Sequence, residues 1–162
     1  MKPLLVGELN PYGDDDRFAL YPDPDHASGA RLMRIFNMVP REYLATFDRT
    51  NLCARRWDKT AAREAAERIM RERHVIVACG SKVATAFVGK FVAYEITYCG
   101  QYRAGGGNLI VTIPHPSGLN RLWNDPTAAA RARAAVEMAT GLLLRRVDIE
   151  DTAPGGLQGA RS

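Results

Sequence analysis

The chain has few cysteines and no long apolar segment. Its three cysteines, Cys53, Cys79 and Cys99, are far apart among 162 residues, and no Cys-x-x-Cys pair occurs. This spacing argues against a zinc or iron–sulfur site, and separated thiols in odd number are typical of a reducing compartment. No apolar run approaches the ~20 residues that a membrane-spanning helix needs. We therefore expect no metal, no other cofactor and no contact with a membrane.

We also expect no targeting segment, because Met1 and Lys2 lead directly into an apolar segment. We accordingly expect a cytoplasmic protein, and by default a monomer. The net charge of +4 permits a polyanionic partner without requiring one. The length fits one domain, which we expect over residues 1–150, followed by a Gly-rich, polar and disordered tail over 151–162.

Short apolar runs alternate with helical patterns along the chain. Strands are predicted at 3–7, 46–53, 74–79 and 108–114, with a further edge strand considered at 91–98. The alternation predicts a three-layer α/β/α sandwich around a central, mainly parallel, four-stranded sheet.

Unusual loops follow several of these predicted strands, at 8–16, 53–58 and 114–124. Ligands of parallel α/β proteins bind beyond the carboxyl ends of the strands. The topology therefore predicts that these loops meet at one edge of the sheet.

The third loop contains the most informative segment, His115-Pro116-Ser117-Gly118-Leu119-Asn120-Arg121. It combines a hydrogen-bond donor, a tight turn, an apolar side chain and a cation within seven residues. Those are the groups needed to extrude a base from a DNA duplex and to stabilise its departure. The alternative is a histidine with a purely structural role, and a leucine that simply packs.

The first loop places Asn10 directly before Pro11, and a residue before proline favours extended geometry. Its amide would project rigidly and could hold a water molecule, although an amide is not a strong base. An ordinary Asn-Pro turn is the alternative.

Together, the segments 8–12 and 115–121 resemble the two signature motifs of the uracil-DNA glycosylase superfamily. Residues 75–87 are similar to the strand–helix segment of the same families, and 50–53 to their base-reading strand. The resemblance spans about residues 3–145 and implies an enzyme that hydrolyses the N-glycosidic bond of uracil or a related damaged pyrimidine in DNA.

Roles in the base pocket follow from this resemblance. Asn10 occupies the position of the water-activating residue, as in mismatch-specific and single-strand-selective members. Tyr12 would crowd the pyrimidine C5, Asn51 would read the Watson–Crick edge, and His115 would donate to the pyrimidine O2. Glu8 and Leu9 of the same motif would also border the base.

The stacking ring and the DNA contacts are implied in the same way. Tyr21 is the preferred stacking ring and Phe18 the alternative. Leu119 would fill the vacated stack, and Arg121 matches the DNA-contacting arginine that comes after this residue in the motif of mismatch-specific members. The neighbouring Ser117, Gly118 and Asn120 are expected to contact DNA as well.

One departure leaves an alternative open. Gly7-Glu8 also matches the iron–sulfur members, and in that alignment Glu8 takes the polar role and Asn10 is an insertion. Those members need four cysteines, so we expect no cluster. Asn10 with His115 is closest to the single-strand-selective pattern, which widens the candidate bases to oxidised uracils.

Alternatives of other classes remain. A non-catalytic module could grip damaged or single-stranded DNA with the same pocket, and an amide in place of an acid at Asn10 favours it. A hydrolase of modified nucleotides is a further alternative. Trp57 and Trp123 could either cover the hydrophobic core or contact DNA.

Overall fold

A computed structural model describes residues 1–10, 13–89 and 96–141. It contains one mixed sheet with the strand order β2-β1-β3-β5-β4. The strands are β1 (Leu4–Leu9), β2 (Asp48–Cys53), β3 (Val75–Cys79), β4 (Gln101–Arg103) and β5 (Leu109–Ile113). All neighbouring pairs are parallel except β4 and β5, which are antiparallel. The predicted α/β fold with a mainly parallel sheet is confirmed.

Helices connect the strands. They are α1 (Ser28–Ile35), α2 (Pro40–Thr46), α3 (Lys59–Glu72), α4 (Ser81–Val88) and α5 (Ala128–Thr140). Helix α3 begins where the Asp58 carboxylate accepts a hydrogen bond from the Ala61 N–H at 2.8 Å. Helix α5 ends at Gly141, whose φ of 68° is the left-handed conformation that glycine adopts at helix ends.

Alternating side chains of the strands divide the core into two layers. Leu4 and Val6 of β1 pack with the buried alanines of α3 and with α4, whereas Leu5 between them packs with α1, α2 and α5. The same division holds in β3, where Ile76 faces one layer and Val77 the other. Because successive strand residues point to opposite faces, a sheet with apolar residues at every position is covered by helices on both sides.

The predicted strand number was wrong: within the described residues the sheet has five strands, and the additional one is β4, at the edge opposite β2. The edge strand considered at 91–98 is not found, since Ile96 and Thr97 are helical and 91–95 lie outside the described residues. Strand β4 is instead fixed by a hairpin with β5. The glycines 105–107 form the turn, with φ of 76° at Gly106, and the Ala104 N–H donates to the Asn108 carbonyl at 2.8 Å.

Some sequence predictions fall outside the described residues. These are the role of Tyr12, the domain boundary near residue 150 and the tail over 151–162.

Candidate active site

The loops predicted to converge do meet at the carboxyl ends of the parallel strands. The Arg55 guanidinium, after β2, forms an ion pair with Asp14, after β1, at 3.0 Å. Nε2 of His115, after β5, lies 4.0 Å from the Glu8 carboxylate near the end of β1. Residues distant in sequence therefore come together at this edge of the sheet.

A pocket of about 740 Å³ opens at this edge. Its volume falls in the range of about 300–1,000 Å³ that is usual for small-molecule sites. Seven of the residues expected to act on substrate or DNA line it: Glu8, Leu9, Asn10, Tyr21, Asn51, His115 and Ser117. Further lining comes from Phe18, Leu20 and the segment that leads into α1. The structure thus brings the two motif loops and the β2 asparagine to one cavity.

His115 is held through both its ring and its backbone. The Ser117 N–H donates to Nδ1 of the imidazole at 3.1 Å. The His115 carbonyl accepts from the Trp123 indole at 2.8 Å and from the Asn120 amide at 3.0 Å. Since Nδ1 accepts a hydrogen bond, the proton of the neutral ring is on Nε2, the nitrogen that faces Glu8.

The surroundings of His115 favour the uncharged ring. Burial lowers the pKa of His115, and the nearby Lys82 lowers it further, while Glu8 raises it in part. The ring lies close over Gly80, where an added Cβ would be 3.0 Å from its Cδ2. Gly80 also has a φ of 99°, so both backbone conformation and space require glycine there.

Glu8 is not a free carboxylate. Its Oε1 accepts from the Lys82 ammonium at 2.8 Å, and that ammonium lies 5.6 Å from the centre of the Trp57 ring. Lys82 thus directs Glu8 toward the start of α4 and partly neutralises it beside the imidazole. Asn10 is 8% exposed and also lines the pocket. Both candidates for the water-positioning group therefore border the same cavity.

Asn51 reaches the pocket because Gly7 has no side chain. The two residues are paired in the parallel register of β1 and β2. A Cβ at Gly7 would collide with Oδ1 of Asn51. The glycine lets the Asn51 amide lie across β1, where it can meet the polar edge of a planar ligand.

Two aromatic rings form one wall of the pocket. Tyr21 is half-buried, whereas Phe18 is 57% exposed and packs edge-on against Tyr21 with the ring centres 5.9 Å apart. Leu20 between them has a φ of 47°, a left-handed conformation that costs a non-glycine residue about 1–2 kcal/mol. The Tyr43 hydroxyl stabilises it by donating to the Leu20 carbonyl at 2.9 Å. Tyr21 is therefore held more firmly than Phe18 and is the better candidate for stacking on a planar ligand.

Leu119 is at the tip of the tight loop after β5 and is 93% exposed. Its N–H donates to the Ser117 hydroxyl, the Asn120 N–H donates to the Ser117 carbonyl, and both distances are 3.1 Å. Arg31 of α1 also donates to that carbonyl, at 3.0 Å. These hydrogen bonds hold a tight turn that presents the Leu119 side chain to solvent rather than to the core.

Of the other residues in the loop after β5, Arg121 is exposed to solvent and Asn120 forms hydrogen bonds within the loop. Arg121 is exposed at the start of a short 3-10 helix. Asn120 instead uses its amide within the loop: Nδ2 donates to the His115 carbonyl, and Oδ1 accepts from the Leu122 N–H at 3.1 Å. Asn120 thus positions the histidine and the turn.

Sequence reasoning missed several supporting residues. Lys82 and Arg31 were part of ordinary helix patterns, and nothing local indicated their partners across the fold. Trp57 and Trp123 are both partly buried against the core, and the Trp123 indole in addition fixes the backbone of His115. A tryptophan eight residues after the motif histidine was the available signal.

The structure also locates the cysteines and the potential metal ligands. The three cysteines are free and buried. Within the ranges that the structure describes, three or more His, Cys, Asp or Glu side chains never cluster in a way that could hold a metal ion. Across those same ranges, no helix is long and apolar enough to cross a membrane.

No protein-family model and no curated protein matches this chain.

Proposed function

We propose that this protein is a monofunctional DNA glycosylase, which hydrolyses the N-glycosidic bond of uracil or a related damaged pyrimidine after flipping the base out of the DNA. The observation that carries the proposal is the orientation of His115. Its Nδ1 is occupied by the Ser117 N–H, which leaves an Nε2–H donor at a pocket large enough for a base.

The departing base needs this donor. When the bond between the sugar C1′ and the base nitrogen breaks, its electron pair stays with the base, and negative charge grows on the pyrimidine O2. A preorganised donor aimed at such a charge is worth roughly 2.7–4 kcal/mol. A neutral imidazole can fill this role, because its Nε2–H donates a hydrogen bond without the ring first having to gain a proton.

The attacking water would be held by Asn10. Its amide oxygen can accept one water hydrogen while the water oxygen attacks C1′. The attacking water gives up one proton, the departing base anion ends protonated, and an abasic sugar remains. Weak activation by an amide is tolerated because a pyrimidine anion with a stabilised O2 is a good leaving group. Glu8, held by Lys82, is the alternative for this position.

Recognition and flipping use the rest of the site. Tyr21 would stack on the base, and the Asn51 amide, with one donor and one acceptor, would pair with its Watson–Crick edge. Leu119 would enter the vacated stack, and Arg121 and Arg31 would approach the phosphates. Flipping costs a few kcal/mol, least at mismatches and in single strands. We propose that the protein acts in this way as a monomer in the cytoplasm.

The experiment compares base release from a uracil-containing, single-stranded oligonucleotide by the wild type, His115→Ala and Asn10→Ala. Each variant should lose most of its activity, and circular dichroism should show that folding is retained. His74→Ala is the matched control, because His74 is exposed at the start of β3, the opposite edge of the sheet. Wild-type release by both site variants would contradict the mechanism. Tight binding of uracil-containing DNA by a wild type that releases no base would instead select the non-catalytic module.

A further inference from the structure

Arg49 of β2 lies against the Tyr21 ring. Its guanidinium carbon is 5.4 Å from the ring centre, within the range of a cation–π contact. Nη1 donates to the Ala19 carbonyl at 2.9 Å and to the Arg17 carbonyl at 3.4 Å. The same arginine thus contacts the ring and fastens the segment that carries it.

The Arg49 guanidinium is hydrogen-bonded to backbone carbonyls, and Asp16, Asp48 and Glu72 line the same cavity without forming a direct ion pair with it. Among the residues that the structure describes, Arg49 forms no ion pair, and its Nε is buried without a hydrogen-bond partner. Arg17 provides the contrast: it lies 6.0 Å from the Phe18 ring, but its guanidinium is paired with Asp15 at 2.6 Å. Because the hydrogen bonds of Arg49 go to neutral carbonyls, its positive charge is reduced less than that of Arg17, which is in a direct ion pair.

The ring stands between this cation and the pocket. Tyr21 lines the pocket of about 740 Å³, whereas Arg49 lines a separate cavity of about 510 Å³ beside β2. A base stacked on Tyr21 would therefore have the ring on one side and, beyond it, an unpaired guanidinium.

We infer that Arg49 is a positioning residue that acts through Tyr21 to favour a negatively charged base in the pocket. The inference rests on the proposed function and deepens it. A cation on one face of an aromatic ring draws the π electrons toward itself, and the other face then repels an anion less. The guanidinium also attracts that anion directly, although more weakly, because the ring separates the two charges. Both effects grow as the bond to the sugar breaks, so they accelerate base release more than they strengthen substrate binding.

The test is a leaving-group series in single-stranded oligonucleotides, with uracil, 5-fluorouracil and 5-hydroxymethyluracil as the target base. Arg49→Met should lower kcat for uracil by about tenfold and leave KM nearly unchanged. The loss should be smaller for 5-fluorouracil, whose anion is more stable and needs less help. Arg49→Lys should recover most of the rate. Arg17→Gln is the matched control, because it removes a nearby charge that Asp15 already neutralises.

A purely structural role predicts different results. Arg49→Met would then slow all three bases equally or raise only KM, and Arg49→Lys, which cannot reproduce the guanidinium geometry, would be as poor. Any of these results overturns the inference. A double-mutant cycle with Tyr21→Leu adds a check, since Arg49→Met should have little further effect once the ring is gone.

Binding of free bases separates this inference from the proposed function. At mildly alkaline pH 5-nitrouracil is an anion, whereas uracil is mostly neutral. Arg49→Met should weaken 5-nitrouracil binding about tenfold and uracil binding much less, with Arg49→Lys close to wild type. A wild type that releases no base from DNA but shows this selectivity contradicts the glycosylase and supports the role of Arg49. Equal changes for both bases, or no binding of either base by the wild type, overturn the inference.

Discussion

The backbone N–H of Ser117 donates to Nδ1 of His115 at 3.1 Å, and this contact decides what the histidine can do. It fixes one tautomer, with the proton on the nitrogen that faces Glu8 and the pocket. Pro116 between the two residues restricts the backbone that brings them together.

The first prediction concerns pH and stability. The folded-state pKa of His115 is lowered mainly by burial, so the unfolded chain binds its proton more readily. His115 should therefore contribute stability above the unfolded value of about 6.5 and lose that contribution as the pH falls below it. Urea unfolding should show a smaller decline in unfolding free energy toward acid pH in His115→Gln than in the wild type. An identical pH dependence in both proteins would contradict the assigned burial.

The second prediction concerns the charges beside the imidazole. Lys82 lowers the pKa of His115 and Glu8 raises it. Lys82→Met should therefore raise the pKa of His115, and Glu8→Gln should lower it, as followed by NMR titration of the ring protons. The double variant should fall between the two. Shifts in the opposite directions would mean that these side chains do not face the ring as the structure shows.

The third prediction concerns Leu119. Because its side chain is 93% exposed, Leu119→Ala should leave the unfolding free energy within about 0.5 kcal/mol of wild type. Base release from duplex DNA should fall by about tenfold, since an apolar side chain of this size gains roughly 1.5–3 kcal/mol on full burial. The loss should be smaller in single strands, which have less stacking to replace. Met138→Ala, at another exposed apolar residue, is the control. Equal loss on both substrates would contradict a wedge.

The fourth prediction concerns Trp123. Trp123→Phe keeps a ring in the core but removes the indole N–H that donates to the His115 carbonyl. We expect a loss of about 1 kcal/mol in unfolding free energy and slower base release, because the loop holds the histidine less firmly. Trp57→Phe should change base release less, since a phenyl ring can still contact Lys82. An unchanged rate in Trp123→Phe would show that this hydrogen bond does not position the histidine.

Most of the sheet could be predicted, because β1, β3 and β5 lie in continuous apolar runs. Such runs are typical of strands in a sheet that helices cover on both faces. Strand β4 could not, since Gln101–Arg103 is short and polar and becomes a strand only by pairing with β5. Similarly, the common edge of the loops followed from the topology, and the site residues followed from the resemblance of two segments to known motifs. The contacts that tune them did not, because Arg49 with Tyr21 and Lys82 with Glu8 join residues far apart in the chain.

The most direct test is a glycosylase assay of the wild-type protein across single-stranded and duplex DNA that contains uracil, hydroxymethyluracil, hypoxanthine or a thymine mismatch. The account predicts that uracil or one of its oxidised forms is released as free base, leaving an abasic site, and that single strands or mismatches are the better substrates. Binding to these DNAs with every base left attached would contradict it.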